Sequence, residues 1–148
     1  MLAEPHLVSV DLFEMAPIEG ATLLQGDITR QKTVEDIQAV FGGEESCVDL
    51  VVSDGAPDIL GEHDFDQFVQ HQLVLAALNI SVLLLKPGGT FVAKVFRGKD
   101  IALLFKQVKM MFGSVYCAKP RSCRNSSIEA FMVAKGFKGR ESVGLAST

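Results

Sequence analysis

The chain has 148 residues, enough for one domain with a sizeable core, and its 48% hydrophobic and 22% charged content is that of an ordinary globular protein. Three scattered cysteines, without a CxxC pair or a histidine at zinc-like spacing, argue against a disulfide framework and a metal site, and for a reducing, cytoplasmic setting. The net charge of −4 conceals a split: residues 1–85 carry two basic against fifteen acidic groups, residues 86–148 twelve against three, so the basic part either faces a polyanion or pairs with the acidic part.

In chain order, Leu7–Asp11 reads as a short strand ending in a carboxylate, and Ala21–Asp27 repeats the pattern, an apolar run closing on Gly-Asp. Thr33–Phe41 is predicted as a helix with Thr33 as N-cap, Asp36 in a capping-box role and Val34, Ile37 and Phe41 inward; Gly42-Gly43 stops it. Val48–Asp54 is a buried strand that delivers Asp54 onto a Gly-Ala-Pro turn. Asp64–Leu85 is a long helix with an inward stripe of Phe65, Val69, Leu73, Ala76, Ile80 and Leu83. Its most apolar run, Leu73–Leu85, is interrupted by Asn79 and Ser81 and is shorter than the ~20 residues of a membrane span, so no membrane is expected. The N-terminus shows no basic region ahead of an apolar block, so no secretory signal is expected either.

Pro87-Gly88-Gly89 breaks that helix, and Thr90–Phe96 is the next strand. Asp100 is placed to cap a helix over Ile101–Phe112, with Ile101, Leu104, Phe105, Val108 and Phe112 inward. Ser114–Ala118 is a short strand, Lys119–Ser127 a polar basic loop, Ser127–Phe137 the last strand, and Lys138–Thr148 a small polar tail expected to be poorly ordered. This alternation predicts an α/β fold with a largely parallel sheet and a C-terminal antiparallel strand, residues 1–137 forming the domain and 138–148 a flexible tail.

Ligands of open α/β sheets bind beyond the carboxyl ends of the strands, which makes Asp11, Asp27 and Asp54 candidates to meet a nucleotide-like group. Aspartate is also a common strand-end residue; three on successive strands weigh toward a site. Lys94 sits among Val92, Ala93, Val95 and Phe96, where an ammonium needs a partner. Asp54 and Glu129 are the available carboxylates. The lysine is then either a proton acceptor or a structural ion pair at the sheet rim. His6, His63 and His71 share no metal-like spacing, and no P-loop, GxGxxG or GxSxG is present.

Asp54-Gly55-Ala56-Pro57, Leu85-Lys86-Pro87-Gly88-Gly89, Val92-Ala93-Lys94-Val95-Phe96-Arg97-Gly98, Lys119-Pro120-Arg121-Ser122 and Arg124-Asn125-Ser126-Ser127-Ile128-Glu129-Ala130-Phe131 together resemble the FtsJ/RrmJ family of S-adenosylmethionine-dependent RNA ribose 2′-O-methyltransferases, over about Val8 to Gly136. Residues 58–79 and 121–131 are most similar to the eukaryotic tRNA branch, which acts on anticodon-loop riboses; other branches act on rRNA or mRNA caps. The resemblance implies a Rossmann-like class I methyltransferase fold and a Lys-Asp-Lys-Glu catalytic set, of which Asp54, Lys94 and Glu129 match the last three members. It implies Asp11 at the cofactor ribose, Asp27 by the adenine, Asp54 near the methionine end, and Lys119, Arg121 and Arg124 on RNA phosphates.

The family pattern also has an N-terminal helix with the first catalytic lysine, a first strand and a Gly-rich loop, none of which has a counterpart here. In the family's sheet order 3-2-1-4-5-7-6, that strand lies between those ending in Asp11 and Asp54. The expectation is therefore an N-terminally truncated domain with weak cofactor binding, little activity alone and exposed sheet edges. Three functions compete at this point: a tRNA methyltransferase domain with S-adenosylmethionine, tRNA (or rRNA) and a protein partner for site selection; a non-catalytic RNA- or partner-binding remnant; and another Rossmann-type nucleotide enzyme.

Overall fold

The computed structural model describes residues 6–43, 47–55, 63–96, 101–119 and 129–143. The chain divides into two compact units, 1–45 and 46–148, each holding one sheet.

In the first unit, β1 (Leu7–Asp11) and β2 (Ala21–Gln25) pair in parallel, Leu7 opposite Ala21 through Asp11 opposite Gln25. The Gly26 N–H donates to the Asp11 carbonyl at 2.8 Å, extending the pairing past the strand ends. α1 (Gln31–Val40) begins two residues earlier than the sequence suggests. Its N-cap position is Arg30, without a side-chain cap bond, and Thr33 lies inside the helix, buried. The capping-box reading is therefore corrected. Packing decides the matter: a Cβ on Gly26 would stand 2.7 Å from the Thr33 Oγ1, so Gly26 leaves room for the threonine to close over it. Asp36 pairs with Lys32 at 3.5 Å, one turn back, instead of reaching toward the helix start. Val34 and Ile37 are buried as expected; Phe41 is the half-buried C-cap and meets the His6 ring.

The second unit is a four-stranded sheet ordered β3-β4-β6-β5, from β3 (Val48–Ser53), β4 (Leu85–Phe96), β5 (Phe112–Ala118) and β6 (Glu129–Phe137). β3 and β4 are parallel, and β6 runs antiparallel to both of its neighbours. This is the α/β pattern with a C-terminal antiparallel strand, inserted between two strands that precede it in the chain. Phe91, Ala93 and Val95 of β4 and Ala130, Met132 and Ala134 of β6 form one nearly solvent-free face, joined by Leu104 and Val108 of α3 (Ile101–Met111). Phe112, expected as the last inward residue of that helix, is buried at the start of β5 and stacks toward Phe91 and Phe137. Asp100, its expected cap, lies outside the described residues.

Two expectations for the middle of the chain are corrected. β4 starts at Leu85, directly after α2 (His63–Leu84), and takes Pro87-Gly88-Gly89 into the strand. The strand accommodates them with a bulge: Val48 faces Leu85 but Leu50 already faces Thr90, with Gly88 at φ 88°. Gly89 has no room for a side chain, since a Cβ would lie 3.0 Å from the Lys86 carbonyl and 3.2 Å from that of Asp49. The buried stripe of α2 is mostly one residue out of phase with the prediction: Ile80 is buried as expected, but so are Gln70, Val74, Ala77, Leu78 and Ser81, while Val69, Leu73, Ala76 and Leu83 are half-buried. From Leu73 on, α2 is apolar nearly all round, so periodicity cannot set its phase there, and the buried Gln70 and Ser81 find internal acceptors. The Ser81 hydroxyl donates to the Ala77 carbonyl and the Gln70 amide to that of Lys94, each at 2.8 Å. Contrary to the estimate from Leu73–Leu85, the segment Gln67–Leu84 is long and apolar enough to cross a membrane; here its buried stripe packs it on the sheet as a core helix.

After β6 the Lys138 N–H donates to the Met111 carbonyl at 2.8 Å, and Arg140–Val143 form a 3₁₀ turn.

Candidate active site

β3 ends at Ser53, whose partner on β4 is Ala93, so the next residue of each strand, Asp54 and Lys94, stands at the same level. On the other side of β4, Phe96 faces Glu129 and Lys94 faces Phe131, which makes Glu129 the diagonal neighbour of Lys94. The three side chains converge. Lys94 Nζ is 3.1 Å from Asp54 Oδ1 and 3.9 Å from Glu129 Oε1. The lysine side chain is 16% exposed, against 66% for Asp54 and 45% for Glu129. An amine is thus held at the sheet rim, on an apolar strand, beneath two carboxylates that reach solvent.

Such an arrangement suits proton transfer at a substrate that approaches from the carboxylate side. The amine is fixed by its strand, shielded on most of its surface, and aimed at the open end of the sheet. Two carboxylates beside it stabilise the ammonium that forms when it takes a proton.

One contributor escaped sequence reading. Gln70 on α2 is 2% exposed, and its Nε2 donates to the Lys94 carbonyl, while its Oε1 has no hydrogen-bond partner among the described residues. Its neighbours Gln67, His71 and Gln72 give the sequence no way to single it out, and it stands apart only once the buried stripe is correctly phased.

In the first unit, Asp11 is exposed at the end of β1, with one carboxylate oxygen accepting the Phe13 N–H at 3.2 Å. Asp27 follows β2 by two residues, and its Oδ1 accepts both the Thr29 hydroxyl at 2.7 Å and the Thr29 N–H at 2.9 Å. Those two donors, the hydroxyl foremost, hold the Asp27 carboxyl below its ordinary range, with a smaller pull from the Arg30 guanidinium. Both carboxylates therefore lie beyond the carboxyl ends of adjacent parallel strands. Lys119 directly follows β5 and is half-buried; Arg121 and Arg124 lie outside the described residues.

Comparison with known proteins decides the family. The profile of FtsJ-like methyltransferases matches residues 1–137. The chain belongs to the FtsJ-like methyltransferase family. Among its relatives, a tRNA (cytidine(32)/guanosine(34)-2′-O)-methyltransferase of Schizosaccharomyces pombe is 55% identical over 134 residues, covering 90% of this chain and 46% of the relative. The human protein of the same name is 57% identical over 133 residues, covering 89% of this chain and 40% of the relative. This chain thus spans less than half the length of either. A solved ribosomal RNA methyltransferase from Plasmodium falciparum superposes with a TM-score of 0.78 at 24% identity, over 90% of this chain and 73% of that one. That likeness confirms the Rossmann-like methyltransferase fold.

Proposed function

We propose that this chain carries the proton-accepting site of an S-adenosylmethionine-dependent ribose 2′-O-methyltransferase acting on the anticodon loop of tRNA. The supporting observation is the Lys94 amine between Asp54 and Glu129, 3.1 and 3.9 Å away. The names and identities of the relatives, 55% and 57% to two tRNA enzymes, favour tRNA over rRNA as the substrate.

The residues fit the cofactor chemically. In the first unit, Asp11 and Asp27 offer carboxylate acceptors at neighbouring strand ends, the acceptor set that ribose hydroxyls and an adenine amine require. When bound, S-adenosylmethionine supplies an electrophilic methyl group and a positive charge, and that charge favours the neutral amine a proton acceptor needs. Lys94 Nζ takes the proton of the ribose 2′-hydroxyl as that oxygen becomes the nucleophile. Asp54 and Glu129 hold the resulting ammonium and keep the chain from swinging off the rim. Lys119, Arg121 and Arg124, in the basic part of the sequence, bind RNA phosphates and set the position of the ribose.

The test pairs calorimetric titration of S-adenosylmethionine with transfer of labelled methyl to tRNA by the wild type and Lys94→Ala. Micromolar binding, transfer by the wild type, and loss of transfer with retained tRNA affinity in the variant support the proposal. Transfer that survives Lys94→Ala refutes the assigned base. A folded chain that binds tRNA but not the cofactor would instead make the non-catalytic RNA-binding reading correct.

A further inference from the structure

We infer that Gln70 is a positioning residue for Lys94: its buried amide replaces the strand bond that β3 stops providing and so fixes the lysine relative to Asp54. The inference rests on the proposed role of Lys94 but concerns a residue outside the Asp54–Lys94–Glu129 set.

Parallel pairing of β3 with β4 ends at Ser53 and Ala93, one residue before Lys94. A carbonyl at that point, half shielded from water, needs a donor. The Lys94 carbonyl receives it from Gln70 Nε2 at 2.8 Å, across α2 rather than along the sheet. Only this orientation of the amide works, because the flipped amide would set two oxygens against each other. The consequence is that Gln70 Oε1 stays buried without a partner among the described residues, an arrangement that a helix built only for packing would avoid by using leucine or methionine. One turn along α2, Leu73 lies beside Gly55, 3.8 Å from where a Cβ of that glycine would stand, so the same helical turn runs past the residue after Asp54 and is bonded to the backbone at Lys94. α2 is therefore a neighbour of both backbone segments that carry the ion pair and is tied to the one that carries the lysine. The ion pair itself is at the exposed rim and does not fix their spacing alone, since Asp54 is 66% exposed.

The test uses the full chain and Gln70→Met, which keeps length and apolar bulk but removes the donor. In methyl transfer to tRNA, kcat falls by about tenfold to a hundredfold while KM for tRNA and for the cofactor holds. Gln70→Asn, with the amide one carbon short, restores part of that loss. An NMR readout is independent of turnover: in the wild type, Asp54→Asn shifts the Lys94 side-chain resonances, and in Gln70→Met the same substitution shifts them less. Reduced coupling in a chain that transfers no methyl sustains the positioning role while the proposed activity fails. Unchanged kcat and coupling in a folded Gln70→Met overturn it. If that variant does not fold, the native protein decides: Gln70 side-chain amide protons protected from solvent exchange support the bond, and exchange at the rate of a surface glutamine overturns it.

Discussion

Replacing Lys94 by methionine should cost the fold less than stripping the lysine of its two carboxylates. At 3.1 Å, unit charges attract by about 1.3 kcal/mol under full water screening and by about 5 kcal/mol at an effective dielectric of ~20. Asp54 is 66% exposed and Glu129 45%, which brings each pair down to about 1 kcal/mol or less, Glu129 the weaker at 3.9 Å. Lys94→Met leaves two solvent-reaching carboxylates that water can hydrate and a methionine among Val92, Phe96 and Phe131, so the net change is within about 1 kcal/mol of zero. The double variant Asp54→Asn, Glu129→Gln leaves an ammonium that is 16% exposed without either carboxylate and costs on the order of 2–3 kcal/mol, more than the single variants add up to. Urea unfolding followed by circular dichroism measures all four. A Lys94→Met variant less stable than the double carboxylate variant would refute the reasoning, because the lysine would then be a structural pillar and not a group retained for chemistry.

Three further outcomes follow from the geometry. Thr29→Val should let the Asp27 carboxyl rise toward its ordinary 3.8, read from the carboxyl carbon by NMR titration. Because the folded value is the lowered one, the stability lost in Thr29→Val is full above that pH and vanishes as pH falls through the depressed value; a gap that widens in acid would contradict the assignment. Gly89→Ala should cost about 1–3 kcal/mol in thermal unfolding, since the atoms it meets at 3.0 and 3.2 Å include two backbone carbonyls that cannot move aside. Phe91→Ala, at a fully buried position, should cost about 3–5 kcal/mol without altering tRNA affinity in whatever fraction remains folded.

The meeting of Asp54, Lys94 and Glu129 was legible in the sequence because Asp54 closes one apolar run, Glu129 opens another and Lys94 is the one charge inside Phe91–Phe96, and a parallel pair with an antiparallel strand beside it brings those three positions to one rim. Strand positions were legible for the same reason: β-branched and aromatic runs such as VDLVV and FVAKVF have few alternatives. The start of α1 was not, because Thr33 has the chemistry of a cap and the packing space of a core residue, and only Gly26, seven positions away, decides between them. The phase of α2 was hidden by its uniform apolarity from Leu73 on. Gln70 was hidden with it, since its partner is a backbone carbonyl, and a carbonyl has no letter in the sequence.

The place of β6 has a consequence for synthesis. It lies between β4 and β5, yet it follows both of them in the chain. Until Glu129–Phe137 emerges, β4 and β5 have no common neighbour, and Phe112 lacks the cover of Phe137. A nascent chain halted before Glu129 therefore exposes two unpaired sheet edges and holds Lys94 with one carboxylate instead of two. The rim is completed only by a strand made after both of its neighbours, so a chain halted before it would present sticky edges to chaperones and proteases before the rim is closed.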